Sequence, residues 1–408
     1  MEIAVIGGGA AGLMAAGRAA ELSGHVTLFE KNDRLGRKLR ITGKGRCNVC
    51  NNCDIETMIA SVPRNPRFLY AALHSFSPQD TMAFFESQGV PLKTERGNRV
   101  FPVSDRAADI AEALSSYCDH GGVRRIHAAV RGVSSESDGR FALETERGRF
   151  DFDRVIVATG GVSYPLTGST GDGYRFAGAY GIKVVEVSPS LVPLVTEEGD
   201  PAEMQGLSLK NTALRVLDTA DGKTVYTDFG EMLFTHYGVS GPMILSASAH
   251  LCDIKPGRYK LSLDLKPALD AQTLDKRLLS DFAKNQNRDF ANSLAELLPQ
   301  KLIPVIVRRS GIDPKKKINL VTRQERHILT ALLKNFTLTV RCARPVREAI
   351  VTRGGVDVRA LSPKTMEAKK VPGLYFCGEV IDVDAYTGGF NLQIAFSTAR
   401  LAAENAVF

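Results

Sequence analysis

The stretch Met1-Glu2-Ile3-Ala4-Val5-Ile6-Gly7-Gly8-Gly9-Ala10-Ala11-Gly12, followed by a helical run and then His25-Val26-Thr27-Leu28-Phe29-Glu30, decides the fold. An apolar strand runs into Gly7-x-Gly9-x-x-Gly12, and a second strand ends on an acidic residue 21 positions after Gly9. These are the parts of a βαβ dinucleotide-binding unit, in order. Gly7 permits a tight turn, Gly9 lets the backbone approach a pyrophosphate, and Gly12 lets the following helix pack on the sheet. With Ala10 and Ala11 in its first turn, that helix aims free N–H groups at the pyrophosphate. Glu30 is placed to accept hydrogen bonds from both ribose hydroxyls, with Lys31 beside it, and is the wrong residue for a 2′-phosphate.

The 408 residues give room for two or three domains, and 44% apolar with 24% charged residues is ordinary globular composition. No apolar run approaches the ~20 residues of a membrane span. Residues 3–17 are apolar, but Glu2 stands where a secretory leader would be basic, so they read as strand and helix. Seven cysteines, three of them at 47–53, fit a reducing cytoplasm better than a disulfide framework. Most of the formal charge of +7 lies between Lys301 and Arg326, where eight basic residues face only Asp313 and Glu325. No aromatic residues interleave with them to stack bases, so the run reads as a solvated helical face rather than a nucleic-acid site.

Helical regions are expected from about Pro66 to Gln88 and from Ala107 to Asp119. Segments 123–130, 140–145 and 149–152 read as an antiparallel meander, which feeds a buried strand, Arg154–Val157. From Leu191 the texture changes to short strands and Gly/Pro turns, then to a polar helical stretch, and α/β character returns at Arg344-Pro345. The expected organisation is α/β, with a discontinuous nucleotide domain at 1–190 plus 345–408. Its insertion comprises a strand-rich domain at 191–267 plus 335–344 and a helical subdomain at 268–334.

Four further blocks place Gly, Asn or Thr where a chain would leave a strand beneath a cofactor. In Gly36–Asn48, Arg37 and Lys38 suit the pyrophosphate or the adenosine end, and Gly45, Arg46, Cys47 and Asn48 suit a flavin ring. Cys47-x2-Cys50-x2-Cys53 has the spacing of three iron–sulfur ligands, but no fourth cysteine follows at short distance, so no metal is expected. Ala158-Thr159-Gly160 ends a strand near the dinucleotide. Gly378-Glu379 with Asp382 stands where an acid meets a ribityl chain. Gly389, Asn391, Leu392 and Gln393 open the last helix, whose dipole suits a flavin edge that gains negative charge on reduction. No second dinucleotide fingerprint exists, so a nicotinamide donor would bind only transiently.

Gly36-Arg-Lys-Leu39, Thr42-Gly-Lys-Gly-Arg-Cys-Asn48, Ala158–Pro165, Gly238-Val-Ser-Gly-Pro242, Thr352-Arg-Gly-Gly-Val356, Gly378-Glu379 and Thr387–Gln393 together resemble the BaiN/YhiN-type family of bacterial flavoproteins, related to aminoacetone oxidases. The resemblance spans essentially the whole chain. It implies a Rossmann-like FAD-binding domain with an inserted β-barrel-like domain that carries a helical subdomain. It also implies non-covalent FAD, with Val130 meeting the adenine through its backbone. Cys50 and Cys53 depart from the family's recurrent block.

The expected activity is hydride transfer at flavin N5 with a small organic substrate, driven by NAD(P)H and directed at a conjugated C=C or similar acceptor. Oxygen-dependent oxidation of a small amine is the alternative. A nucleic-acid-associated flavoprotein using the 301–326 run and a flavin-binding protein without turnover complete the set. Lys44, Tyr164, Tyr386, His236 and Tyr237 are the proton-transfer candidates.

Overall fold

The computed structural model describes every residue except Ser23 and divides the chain into two units, Met1–Ser190 with Val346–Phe408, and Leu191–Pro345. In the first unit, strand β1 (Glu2–Ile6) is central to a five-stranded parallel sheet. It pairs on one side with β2 (His25–Glu30), which pairs in turn with Arg124–His127. On its other side lies Arg154–Val157, followed by the edge strand Leu374–Phe376. Residues 3–6 of β1 are buried, as a parallel strand covered on both faces requires.

Helix α1 (Ala10–Glu21) packs against the last helix, Phe390–Val407. Small residues along α1 permit the close approach, and the last helix is buried around most of its circumference. The first and last elements of the chain therefore share one core.

Two expectations change. The segment read as the first meander strand divides at Ala128-Ala129. Arg124–His127 joins the parallel sheet, and the meander is built from Val130–Ser135, Phe141–Thr145 and Gly148–Phe152. A short alternating run carries no signal for which sheet it joins. The helical region 66–88 breaks at Phe76-Ser77, where Ser77 and Asp80 form a reciprocal cap ahead of Pro78 and start a new helix. The residue before a proline is disfavoured in helical conformation.

The second unit is a closed six-stranded barrel in the order Leu194–Thr196, Gly238–Ser240, Thr224–Thr235, Ser208–Asp218, Tyr259–Asp264, Phe336–Ala343. Between its last two strands run three α-helices, Ala271–Lys284, Ile303–Ser310 and Arg323–Lys334. The basic run is largely neutralised within this unit. Arg308 and Arg309 pair with Asp200, Lys316 with Glu325, Lys317 with Asp289 and Arg326 with Asp275. Among the described residues no helix is long and apolar enough to cross a membrane.

Candidate cofactor site

The glycine-rich turn sets the floor of a cleft in the first unit. A Cβ on Gly12 would lie 1.7 Å from the Gly7 carbonyl oxygen, so the α1–turn contact admits only glycine. A Cβ on Gly9 would meet nothing within 4 Å, because that position faces the cleft. Among the described residues the backbone N–H groups of Ala10, Ala11 and Gly12 meet no acceptor, as expected of a helix start with no side-chain cap. The turn thus offers an anion both free donors and room.

At the end of β2 the Glu30 carboxylate is held rigidly. Its Oε2 accepts from Gly8 N at 2.7 Å, and its Oε1 accepts from Asn32 N and Asn32 Nδ2, both at 2.7 Å. Asn32 in turn accepts from Arg37 at 3.0 Å. Lys31 Nζ donates to Asp172 at 2.6 Å. Burial opposes ionisation of Asp172, but the hydrogen bonds from Lys31 and Thr170 outweigh it and hold the carboxyl below its ordinary value.

Farther along the cleft, Lys38 Nζ donates to Glu379 Oε2 and Ser163 Oγ, each at 2.6 Å. Ser163 donates to Glu379 Oε1 at 2.9 Å, and so does the Thr352 backbone N–H, also at 2.9 Å. The Thr352 hydroxyl accepts from Val162 N at 2.8 Å. Burial alone would raise the Glu379 pKa; the Lys38 ammonium and the Thr352 and Ser163 donors overcome it and the pKa is lowered.

Gly7, Gly9, Ala10, Ala11, Glu30, Lys31, Arg37, Lys38, Val130, Ala158, Thr159, Gly160, Glu379, Asn391 and Leu392 all line this cleft. Other residues singled out in the sequence do not line it. Gly12 packs on Gly7, Gly378 on Ala11 and Gly389 on Cys50. Gly45 accepts from Ala107 N, and Arg46 is spent on Glu95 and Asp105. Asp382 accepts from Asn65, Gln393 donates to Phe76 O, and Asn48 is committed to Gly389 N.

Cys47, Cys50 and Cys53 are buried free thiols, and no metal-binding group of His, Cys, Asp or Glu occurs among the described residues. Burial pushes the Cys50 thiol up to about 12 and the Cys53 thiol up to about 11, so both stay protonated near neutrality. Residues that sequence reasoning passed over include Asn32, Ser163 and Thr352. Asn32 and Ser163 precede turns containing Gly36 and Pro165, Thr352 is the second residue of the strand Val351–Val356, and no local pattern marks groups that serve a carboxylate in this way.

None of the five proton-transfer candidates lines the cleft. Tyr164, 36% exposed with φ +50°, stacks its ring 5.9 Å from Lys38 Nζ, and exposed Lys44 has φ +59°. Tyr386 is half-buried against the core of the first unit. His236 and Tyr237 belong to the barrel unit, with ring centroids 4.8 Å apart and Arg344 over Tyr237.

Residues 1–405 match the family described as the HI0933-like protein Rossmann domain. The chain belongs to this family. HI0933-like proteins of the BaiN/YhiN type are FAD-dependent oxidoreductases, and the chain is an enzyme of that class. A ribosomal RNA dihydrouridine synthase of Escherichia coli (strain K12) is 32% identical over 404 residues, 99% of this chain and 97% of the relative. A 3-dehydro-bile acid delta(4,6)-reductase of Clostridium scindens is 32% identical over 415 residues, 99% of this chain and 98% of that one. Among solved structures, a 3-ketosteroid-delta4-(5alpha)-dehydrogenase from Rhodococcus jostii RHA1 superposes with a TM-score of 0.54 at 14% identity, covering 100% of this chain and 97% of that chain. That likeness reports the fold.

Proposed function

We propose that this enzyme uses non-covalent FAD and NAD(P)H to saturate a carbon–carbon double bond conjugated to a carbonyl. Bound FAD supplies the hydride relay. The β-carbon of the acceptor gains hydride, the α-carbon gains a proton, and NAD(P)H leaves as NAD(P)⁺. The observation that carries the FAD part of this reading is the cleft itself. Free α1 donors and the open Gly9 position suit a pyrophosphate, Glu30 suits a ribose, and the Lys38–Glu379 pair lies farther along, at the ribityl position.

The hydride direction draws on two equally similar relatives. Dihydrouridine is uridine with its conjugated ring double bond saturated, and a delta(4,6)-reductase is named for the same class of change. Of the two acceptors, a uracil in RNA is the leading reading, because relatives from both Escherichia coli and Haemophilus influenzae, each 32% identical, are named for it. A steroid-like enone is the second reading, on the Clostridium scindens relative.

Within the first unit, Tyr164 and Lys44 are the proton-donor candidates, since left-handed backbone at a non-glycine residue concentrates at functional sites. The test begins with anaerobic addition of NADH, then NADPH, to the yellow protein. Bleaching followed by a gain of two hydrogens in unmodified ribosomal RNA supports the leading reading. Turnover of enones but not RNA moves it to the second. A flavin band that persists with both nucleotides but bleaches with a small amine, releasing peroxide in air, overturns both.

A further inference from the structure

The last helix opens on a turn whose geometry is set by asparagines far away in sequence. Asn51 Nδ2 donates to Gly388 O at 3.1 Å and to Gly97 O at 3.0 Å. The Asn48 amide donates to Val100 O at 3.2 Å and Cys50 O at 3.1 Å, while its Oδ1 accepts from Gly389 N at 3.0 Å. The turn is pressed onto the Cys50–Asn51 strand so closely that a Cβ on Gly389 would lie 2.3 Å from the Cys50 carbonyl carbon and oxygen. Inside the helix, Asn391 accepts from Ala385 N at 2.9 Å and donates to Ala385 O at 2.8 Å, closing the turn from its other end.

Among the described residues the backbone N–H groups of Phe390, Asn391 and Leu392 meet no acceptor, and Asn391 and Leu392 line the cleft. These three donors are the free positive end of an 18-residue helix.

We infer that Asn48 and Asn51 are positioning residues that set the reduction potential of the flavin, by fixing the 387–389 turn and so the aim of the last helix. The Asn48 amide and the Asn51 Nδ2 are committed to backbone groups of the turn and of the strands beneath it, so they act through the turn. The inference rests on the reading that this helix start faces the flavin ring. Donors aimed at the edge that gains negative charge stabilise reduced over oxidised FAD. Letting the turn relax weakens that preference.

The test compares the FAD-loaded wild type with Asn48→Ala, Asn51→Ala, Asn51→Ser and Leu392→Asp. FAD stoichiometry, thermal unfolding and midpoint potential against a reference dye are measured for each. Both alanine variants are expected to keep FAD and to bind reduced relative to oxidised flavin about tenfold less well, a fall of about 30 mV for a two-electron couple. Asn51→Ser, which keeps a hydroxyl donor, should recover part of the shift. Should Asn48→Ala not fold, Asn51→Ala and Asn51→Ser carry the test. Unchanged potentials in the folded asparagine variants, with a lowered potential in Leu392→Asp, overturn the inference and leave the helix placement standing. Unchanged potentials in all, Leu392→Asp included, overturn the placement as well.

Discussion

Lys38 Nζ lies 2.6 Å from Glu379 Oε2, joining residues 341 positions apart on the wall of the cleft. Removing the ammonium leaves a carboxylate with only neutral donors. Lys38→Met is expected to lower unfolding free energy by ~1–3 kcal/mol, the cost of stranding a partly buried polar partner, and to weaken FAD binding. Because the Glu379 pKa is lowered in the folded state, its contribution is present above the unfolded value of about 4.3 and is lost as pH falls through the folded pKa. Urea unfolding from pH 7 down to pH 3 should therefore show a shallower acid dependence in Lys38→Met than in wild type.

Glu30 takes three hydrogen bonds from Gly8 and Asn32, and the proposed function gives it the ribose of FAD. For Glu30→Ala, titration of apoprotein with FAD should give a Kd about 10–100-fold higher, roughly 1.4–2.8 kcal/mol of binding. Glu30→Gln should fall between the two.

Gly9 and Gly12 separate cleft space from packing. Gly12→Ala drives a methyl into the Gly7 carbonyl and should cost at least ~1–3 kcal/mol of stability, by the usual penalty for overpacking. Gly9→Ala meets no protein atom within 4 Å, so it should melt close to wild type while losing FAD. Calorimetry of both apoproteins distinguishes the two effects.

Asp384 is 1% exposed, and its Oδ1 has no hydrogen-bond partner among the described residues. Burial raises its pKa, with the Ser190 hydrogen bond and Arg64 only partly opposing. A raised carboxyl pKa gives stability that is full below the unfolded value of about 3.9 and lost as pH rises through the folded pKa. Asp384→Asn escapes that loss. It should unfold at higher temperature than wild type at pH 8, and the gap should close at pH 3.

Tyr164→Phe removes one proposed proton donor without touching the cradle. Acceptor turnover should fall about 10²-fold, within the usual range for general acid catalysis, while bleaching by NAD(P)H stays at the wild-type rate. An equal fall in both rates would assign Tyr164 to binding instead.

The βαβ unit was legible because its signals are local: three glycines, a helix and an acid within thirty residues specify turn, packing and ribose contact together. The parallel edge strand Arg124–His127 was not, since period-2 alternation says nothing about which neighbour a strand will choose. Asn51 reads in sequence as an ordinary polar residue, and its bond to Gly388 spans 337 positions. Ser163 and Thr352 are silent for the same reason: a hydroxyl or a backbone N–H serving a carboxylate 216 or 27 residues away leaves no spacing to recognise. Arg46, which looks like a cofactor contact in a basic glycine loop, is claimed by two carboxylates that the sequence does not place beside it.

The edge strand Leu374–Phe376 completes a sheet begun at residue 2, and the whole barrel unit is encoded between that strand and its neighbour Arg154–Val157. During synthesis the nascent nucleotide unit must therefore wait, with Arg154–Val157 exposed as an open edge, while the barrel emerges and folds. At 5–20 residues per second that interval is roughly 10–40 s. The open edge is a site for chaperone capture or mispairing, and a ribosome stalled anywhere in the barrel leaves a chain unable to close its first sheet.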